Sequence, residues 1–119
     1  MHIEELREYC LTKKGTIEDF PFDEVTLVFK VQGKMFALIS LDLERSSIAL
    51  KCDPERAVSL REEYDDIIPA PHFNKKYWNL LYTDNGLNNG LIRELIDHSY
   101  DLVVAKLTKK LRDKLNLET

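Results

Sequence analysis

From Val25 to Val31 the side chains alternate, Val25, Leu27, Phe29 and Val31 on one parity and Thr26, Val28 and Lys30 on the other, and this period of two marks a half-buried strand. Gln32-Gly33-Lys34 supplies a glycine turn, and the run over 35–41 is apolar on both parities, as a central strand covered on part of each face would be. A lone hairpin over 25–41 is at best marginally stable in water. It requires further strands beside it and a second layer against it.

The remaining segments can provide both. Ile3, Leu6, Tyr9 or Cys10 and Lys13 recur at helical spacing, and Gly15 follows Lys13-Lys14 as a stop, which predicts a helix over 2–14. After the turn-rich stretch 18–24 and the hairpin, alternation returns from Ser46 or Ser47 to Cys52, with Ile48, Leu50 and Cys52 inward. Asp53-Pro54-Glu55 opens a second helix, carried to 64 by Ala57, Leu60, Arg61 and Tyr64. Pro69 and Pro71 restrict 67–74 to an edge strand, and 77–83 follows as its partner in a second hairpin or wing. Asn88 is positioned to cap a third helix, whose stripe Leu91, Ile92, Leu95, Ile96, Ser99, Leu102, Val103 and Leu107 runs from 89 to at least 106. Helices at both ends of a run of short strands, without βαβ alternation, predict an α+β fold: an antiparallel sheet of about five strands with helices packed on one face. At 119 residues the chain has room for one domain, spanning 1–119.

Composition narrows the function classes. Net charge is −4, which opposes a simple phosphate-wrapping surface, yet the charge is segregated: residues 1–24 carry seven acids against three bases, and residues 106–114 carry five bases against one acid. The two cysteines, Cys10 and Cys52, belong to no metal or redox motif and are expected to be buried reduced thiols. The run over 35–41 falls far short of the roughly 18 residues of a membrane span, and Met1-His2-Ile3-Glu4-Glu5 does not open like a signal peptide, so no membrane partner and a cytoplasmic location are expected. No catalytic motif is present among the three histidines and four glycines. His98 and Ser99 are adjacent on a helix and point about 100° apart, which is wrong for a base and its nucleophile. Ser99 and Tyr100 are expected instead to pin the third helix to the sheet. Neither catalytic residues, nor metal ligands, nor a cofactor are expected.

Five segments together carry a family resemblance: Glu18-Asp19-Phe20-Pro21-Phe22, Lys34-Met35-Phe36, Lys51-Cys52-Asp53-Pro54, His72 through Lys75-Lys76-Tyr77-Trp78-Asn79, and Asp97-His98-Ser99-Tyr100-Asp101-Leu102-Val103. The chain resembles the MmcQ/YjbR proteins over nearly its whole length. That resemblance implies a frataxin/CyaY-like α/β sandwich and a DNA-binding role through a "double wing".

The residues offer a matching constellation. His72, Phe73, Lys75, Lys76, Tyr77, Trp78 and Asn79 put cations beside stacking surfaces. The competing structural reading has Trp78 filling the core and the lysines solubilising a turn. Lys34 sits at the tip of the first hairpin, and parity places Lys30 and Lys51 on the sheet face away from the helices, where they could flank an anion. The expected nucleic-acid contacts are therefore Lys30, Lys34, Lys51, His72, Lys75, Lys76, Trp78 and Asn79, in a monomer that takes DNA with little sequence preference. The cations of 106–114 would lie near the end of the third helix, where its dipole favours them without any ligand. Two alternatives stay open: a domain that binds an unidentified protein or small anionic ligand, and weak metal handling by Glu4, Glu5, Glu8, Glu18, Asp19, Asp23 and Glu24, whose placement resembles the acidic ridge of frataxins.

Overall fold

The computed structural model describes residues 1–118. The elements run α1 (Ile3–Leu11), β1 (Thr16–Asp19), β2 (Thr26–Val31), β3 (Lys34–Ser40), β4 (Ser47–Lys51), α2 (Pro54–Glu63), β5 (Ile67–Pro69), β6 (Trp78–Tyr82), α3 (Asn89–Ala105) and α4 (Lys109–Leu117). The strands form one antiparallel sheet in the order β1-β2-β3-β4-β6-β5. The α+β expectation holds, with one strand more than foreseen. That strand, β1, lies in part of the stretch read as turns, because it is an edge with little to bury: Ile17 is 58% exposed, and the strand is held by backbone pairing to β2.

All four helices contribute to a single core on one sheet face. Leu6 and Cys10 of α1, Ala57 and Leu60 of α2, Ile92, Ile96 and Val103 of α3 and Leu115 of α4 pack with Leu27, Phe29, Ile48 and Leu50 of the sheet. The both-parity apolar run of β3 has a specific cause. Pairing passes from Phe29↔Ala37 to Lys30↔Met35, so Phe36 is the extra residue of a β-bulge. Both Phe36 and Ala37 therefore belong to the helix-side core, while Met35 and Leu38 serve the other face.

The bulge needs help from α3. Ser99, fully buried, donates its hydroxyl to the Phe36 carbonyl at 2.6 Å and accepts the Lys51 N–H at 2.9 Å, joining β3 and β4 at the point where their ladder ends. Ser99 pins the helix to the sheet as expected. Tyr100 instead donates to the carbonyl of Lys14, tying α3 to the turn after α1.

Both terminal helices differ from the sequence reading. α1 stops at Leu11 rather than at 14, where the Thr12 hydroxyl donates to the Tyr9 carbonyl at 2.6 Å. Gly15 then takes φ +71°, a conformation that favours glycine, and a Cβ there would meet the end of the Leu115 side chain at 2.5 Å and push it aside. At the other end the apolar stripe does not continue in one helix. Buried Leu107 lies two residues past the end of α3 at Ala105, and the Thr108 side chain accepts from Leu111 N–H to start α4. Lys109 and Lys110 thus open a helix instead of closing one, which removes their expected dipole stabilisation.

The two sheet edges are dissimilar. β1 carries Glu18 and Asp19, paired with Arg7 at 2.6 Å and Lys30 at 3.4 Å. β5 is three residues long and ends on Pro69.

Candidate functional site

Antiparallel order puts the start of β3, the end of β4 and the turn before β6 at one end of the sheet. Lys34, Lys51, Lys75 and Lys76 are therefore brought to that end by topology. Lys34, Lys75 and Lys76 are exposed and Lys51 is half-buried. The turn carrying Lys75 and Lys76 is rigidly made: Asn74 Oδ1 accepts the Lys76 N–H at 3.0 Å, and Arg61 of α2 donates to the Lys75 carbonyl at 3.1 Å.

Tyr77 organises this end. The Lys76 ammonium lies 5.5 Å from its ring centre, and Lys106, the C-cap of α3, lies 5.8 Å from the same ring. Burial, and then the charge of Lys106, lower the pKa of Lys51. Among the described residues Lys34, Lys51, Lys75, Lys76 and Lys106 form no salt bridge. The sequence reading puts Lys106 among the cations at the end of the third helix and does not count it among the expected contacts. Its signal was the end of the α3 stripe, which carries the residue after Ala105 back to the sheet end.

Other expected contacts fall elsewhere. Lys30 does lie on the helix-free face, as Lys51 does, but on β2, where Asp19 occupies it. Asn79 is a correction: one residue along from Trp78 it faces the helices, is 1% exposed, accepts from Arg61 at 2.9 Å and donates to the Ala57 carbonyl at 3.2 Å. Its bonds fasten α2 to β6 and leave it out of reach of a ligand. Trp78 is 9% exposed and packs on Phe73 with ring centres 5.2 Å apart, so it supports the turn from beneath instead of offering a stacking face. His72 lines an apolar cleft on the helix-free face, and no lysine lines it.

The acidic ridge is divided among local tasks. Glu18 is held by Arg7, Asp19 by Lys30, and Asp23 accepts the backbone N–H groups of Val25 and Thr26. No group of three or more His, Cys, Asp or Glu side chains among the described residues is arranged to hold a metal. Both cysteines are buried and free, with burial raising the Cys10 thiol to about 12 and Cys52 to about 11, so neither is a poised nucleophile. No helix among the described residues is long and apolar enough to cross a membrane.

A six-stranded antiparallel sheet with helices on one side and unpaired cations at one end defines a small, one-sided α+β domain. The same architecture recurs in solved structures. A Deinococcus radiodurans protein of known crystal structure superposes with a TM-score of 0.91 at 38% identity, covering 98% of this chain and 88% of that one. A Pseudomonas syringae protein gives 0.75 at 28% identity, covering 86% and 98%. The YjbR family model matches residues 11–102. The uncharacterized Escherichia coli protein YjbR is 34% identical over 115 residues, covering 97% of this chain and 98% of that protein, and Escherichia coli YbdF is 37% identical over 91 residues. The chain belongs to the YjbR family.

Proposed function

We propose that the protein is a non-enzymatic module that binds nucleic acid through the lysine end of its sheet, with little sequence preference. The observation that supports this reading is the Tyr77 ring flanked by Lys76 and Lys106, beside half-buried Lys51. Cations gathered without carboxylate partners leave an uncompensated positive field, and phosphates are the common ligand that such a field takes. Acids elsewhere on the chain keep the overall charge at −4, so binding is weak and confined to this end. The set of contacts is Lys34, Lys51, Lys75, Lys76 and Lys106, with Trp78 and Asn79 holding the turn in place.

Titration of a fluorescent DNA duplex at low salt tests the reading. With about four phosphates neutralised, the logarithm of affinity should fall with the logarithm of salt at a slope near −3.6. The double variant Lys76→Glu, Lys106→Glu should bind more weakly with a slope shallower by about 1.8, while Lys109→Glu, Lys110→Glu should change binding much less. Absence of binding at about 100 μM protein, the weak end of non-specific affinities, defeats the proposal. So does an unchanged affinity in the folded Lys76, Lys106 variant.

A further inference from the structure

The helix-free face carries a cleft that the lysine end does not use. Leu38, Ala49 and Leu80 stand side by side on β3, β4 and β6, and Ala49 is the small member of that row. With Ala70 also small, the floor sinks into a hollow of about 450 Å³, inside the range of roughly 300–1,000 Å³ typical of single-ligand pockets. Phe22 rises on one side from the loop before β2, and Pro71 and Phe73 rise on the other from the turn after β5. Phe22 remains 62% exposed, so this lip is not spent on the core.

The polar groups stand around that apolar floor. Asp23, Thr26, Ser40 and His72 are among the lining residues, and no lysine or arginine is. Asp23 Oδ1 accepts from Val25 N at 2.9 Å and from Thr26 N at 2.7 Å, while Oδ2 accepts only the Thr26 hydroxyl at 3.1 Å. Those bonds, the one from Val25 foremost, hold the carboxyl below its usual range, so the negative charge is fixed at neutral pH. A carboxylate has about four acceptor sites, and Oδ2 keeps capacity for an incoming donor. His72 takes φ +68°, a left-handed conformation that favours glycine, and such residues cluster at ligand sites.

We propose that this cleft binds a small cationic amphipath, a primary amine on an aromatic or branched aliphatic body, with the body on the Leu38, Ala49 and Leu80 floor and the ammonium at Asp23. Charge complementarity chooses this class. An anion would meet a carboxylate and no fixed cation, so the cleft selects against the ligands that the lysine end favours.

The test follows amide chemical shifts of the whole chain during titration with phenethylamine and, in parallel, with phenylacetate, its anionic counterpart. Phenethylamine should give saturable shifts centred on Leu38, Ala49 and Leu80, and bind about threefold or more tighter than phenylacetate, as one surface charge contact allows. Asp23→Asn keeps an oxygen for the Val25 and Thr26 N–H groups while removing the charge, and should erase that preference. Ala49→Leu should fill the floor and abolish binding of both probes. Because a buried change can disturb the sheet, Phe22→Ser on the exposed lip serves beside it and should weaken both probes with circular dichroism unchanged. Equal affinity for the two probes in the native chain, or shifts that never saturate, or no shifts at all, would overturn the proposal.

Discussion

The two faces of the sheet are built from the same strands, yet they are covered in different ways. Under the helices Phe29, Phe36, Ile39 and Ile48 are all 0% exposed, because side chains from four helices interdigitate with them. On the other face Val28, Leu38, Ala49, Ala70 and Trp78 are buried by neighbouring strands and by loops. A helix layer presents a continuous row of side chains at fixed spacing, whereas a loop covers only where its few apolar residues happen to reach. The loop-covered face consequently keeps a hollow. Antiparallel sheets commonly face water with polar side chains on their uncovered side. Here the second face is apolar too, and that departure is what makes it available for binding.

The sharpest way to test the contrast is to remove one large side chain from each face. Phe36→Ala opens a void in the helix-covered core with no chain free to fill it, and should cost about 3–5 kcal/mol in urea unfolding. Trp78→Ala lies where Phe73 and Met35 are only partly buried and can shift inward, so its loss should fall at the low end, about 3 kcal/mol. Circular dichroism must follow the second variant, since Trp78 is the only tryptophan. Equal losses would mean that the loop-covered face is packed as firmly as the other. A smaller effect is expected from Ser99→Ala, which leaves the Phe36 carbonyl and the Lys51 N–H without their partner; about 2–3 kcal/mol should disappear in the same unfolding measurement. Smallest of all is Phe22→Ser at the lip of the cleft, expected within about 0.5 kcal/mol of the native chain because the ring makes little core contact. A larger loss there would show that the loop seals the face instead of bordering a site.

Much of this was legible from the residues because burial and periodicity agree. Leu27, Phe29 and Val31 announced their strand, Asp53-Pro54 announced α2, and the cap at Asn88 with its stripe announced α3. Where the reading failed, backbone geometry outweighed side-chain pattern. β1 has no alternation because it is an edge strand with little to bury, exposed at Ile17, Glu18 and Asp19. The break between α3 and α4 is hidden because Leu107 continues the stripe while Thr108 quietly supplies a cap. At the candidate site the lysines at the hairpin ends were visible, but Lys106 joins them only through the length of α3, and Asn79 leaves them only through a one-residue change of parity. The cleft had no sequence signal of its own, since it arises from what Ala49 and Ala70 lack.

The edges of the sheet carry a consequence for the protein at high concentration. A six-stranded open sheet presents unpaired backbone groups at two borders, each of which could recruit a strand from another molecule and seed aggregation. At one border Glu18 and Asp19 of β1 are each anchored to a cation, so an approaching copy would meet charged side chains at the site of pairing. At the other, β5 ends after three residues on Pro69, with Pro71 close behind, and proline has no N–H to offer a newcomer. The chain thus leaves one apolar face open to small visitors while denying its own copies a template for growth.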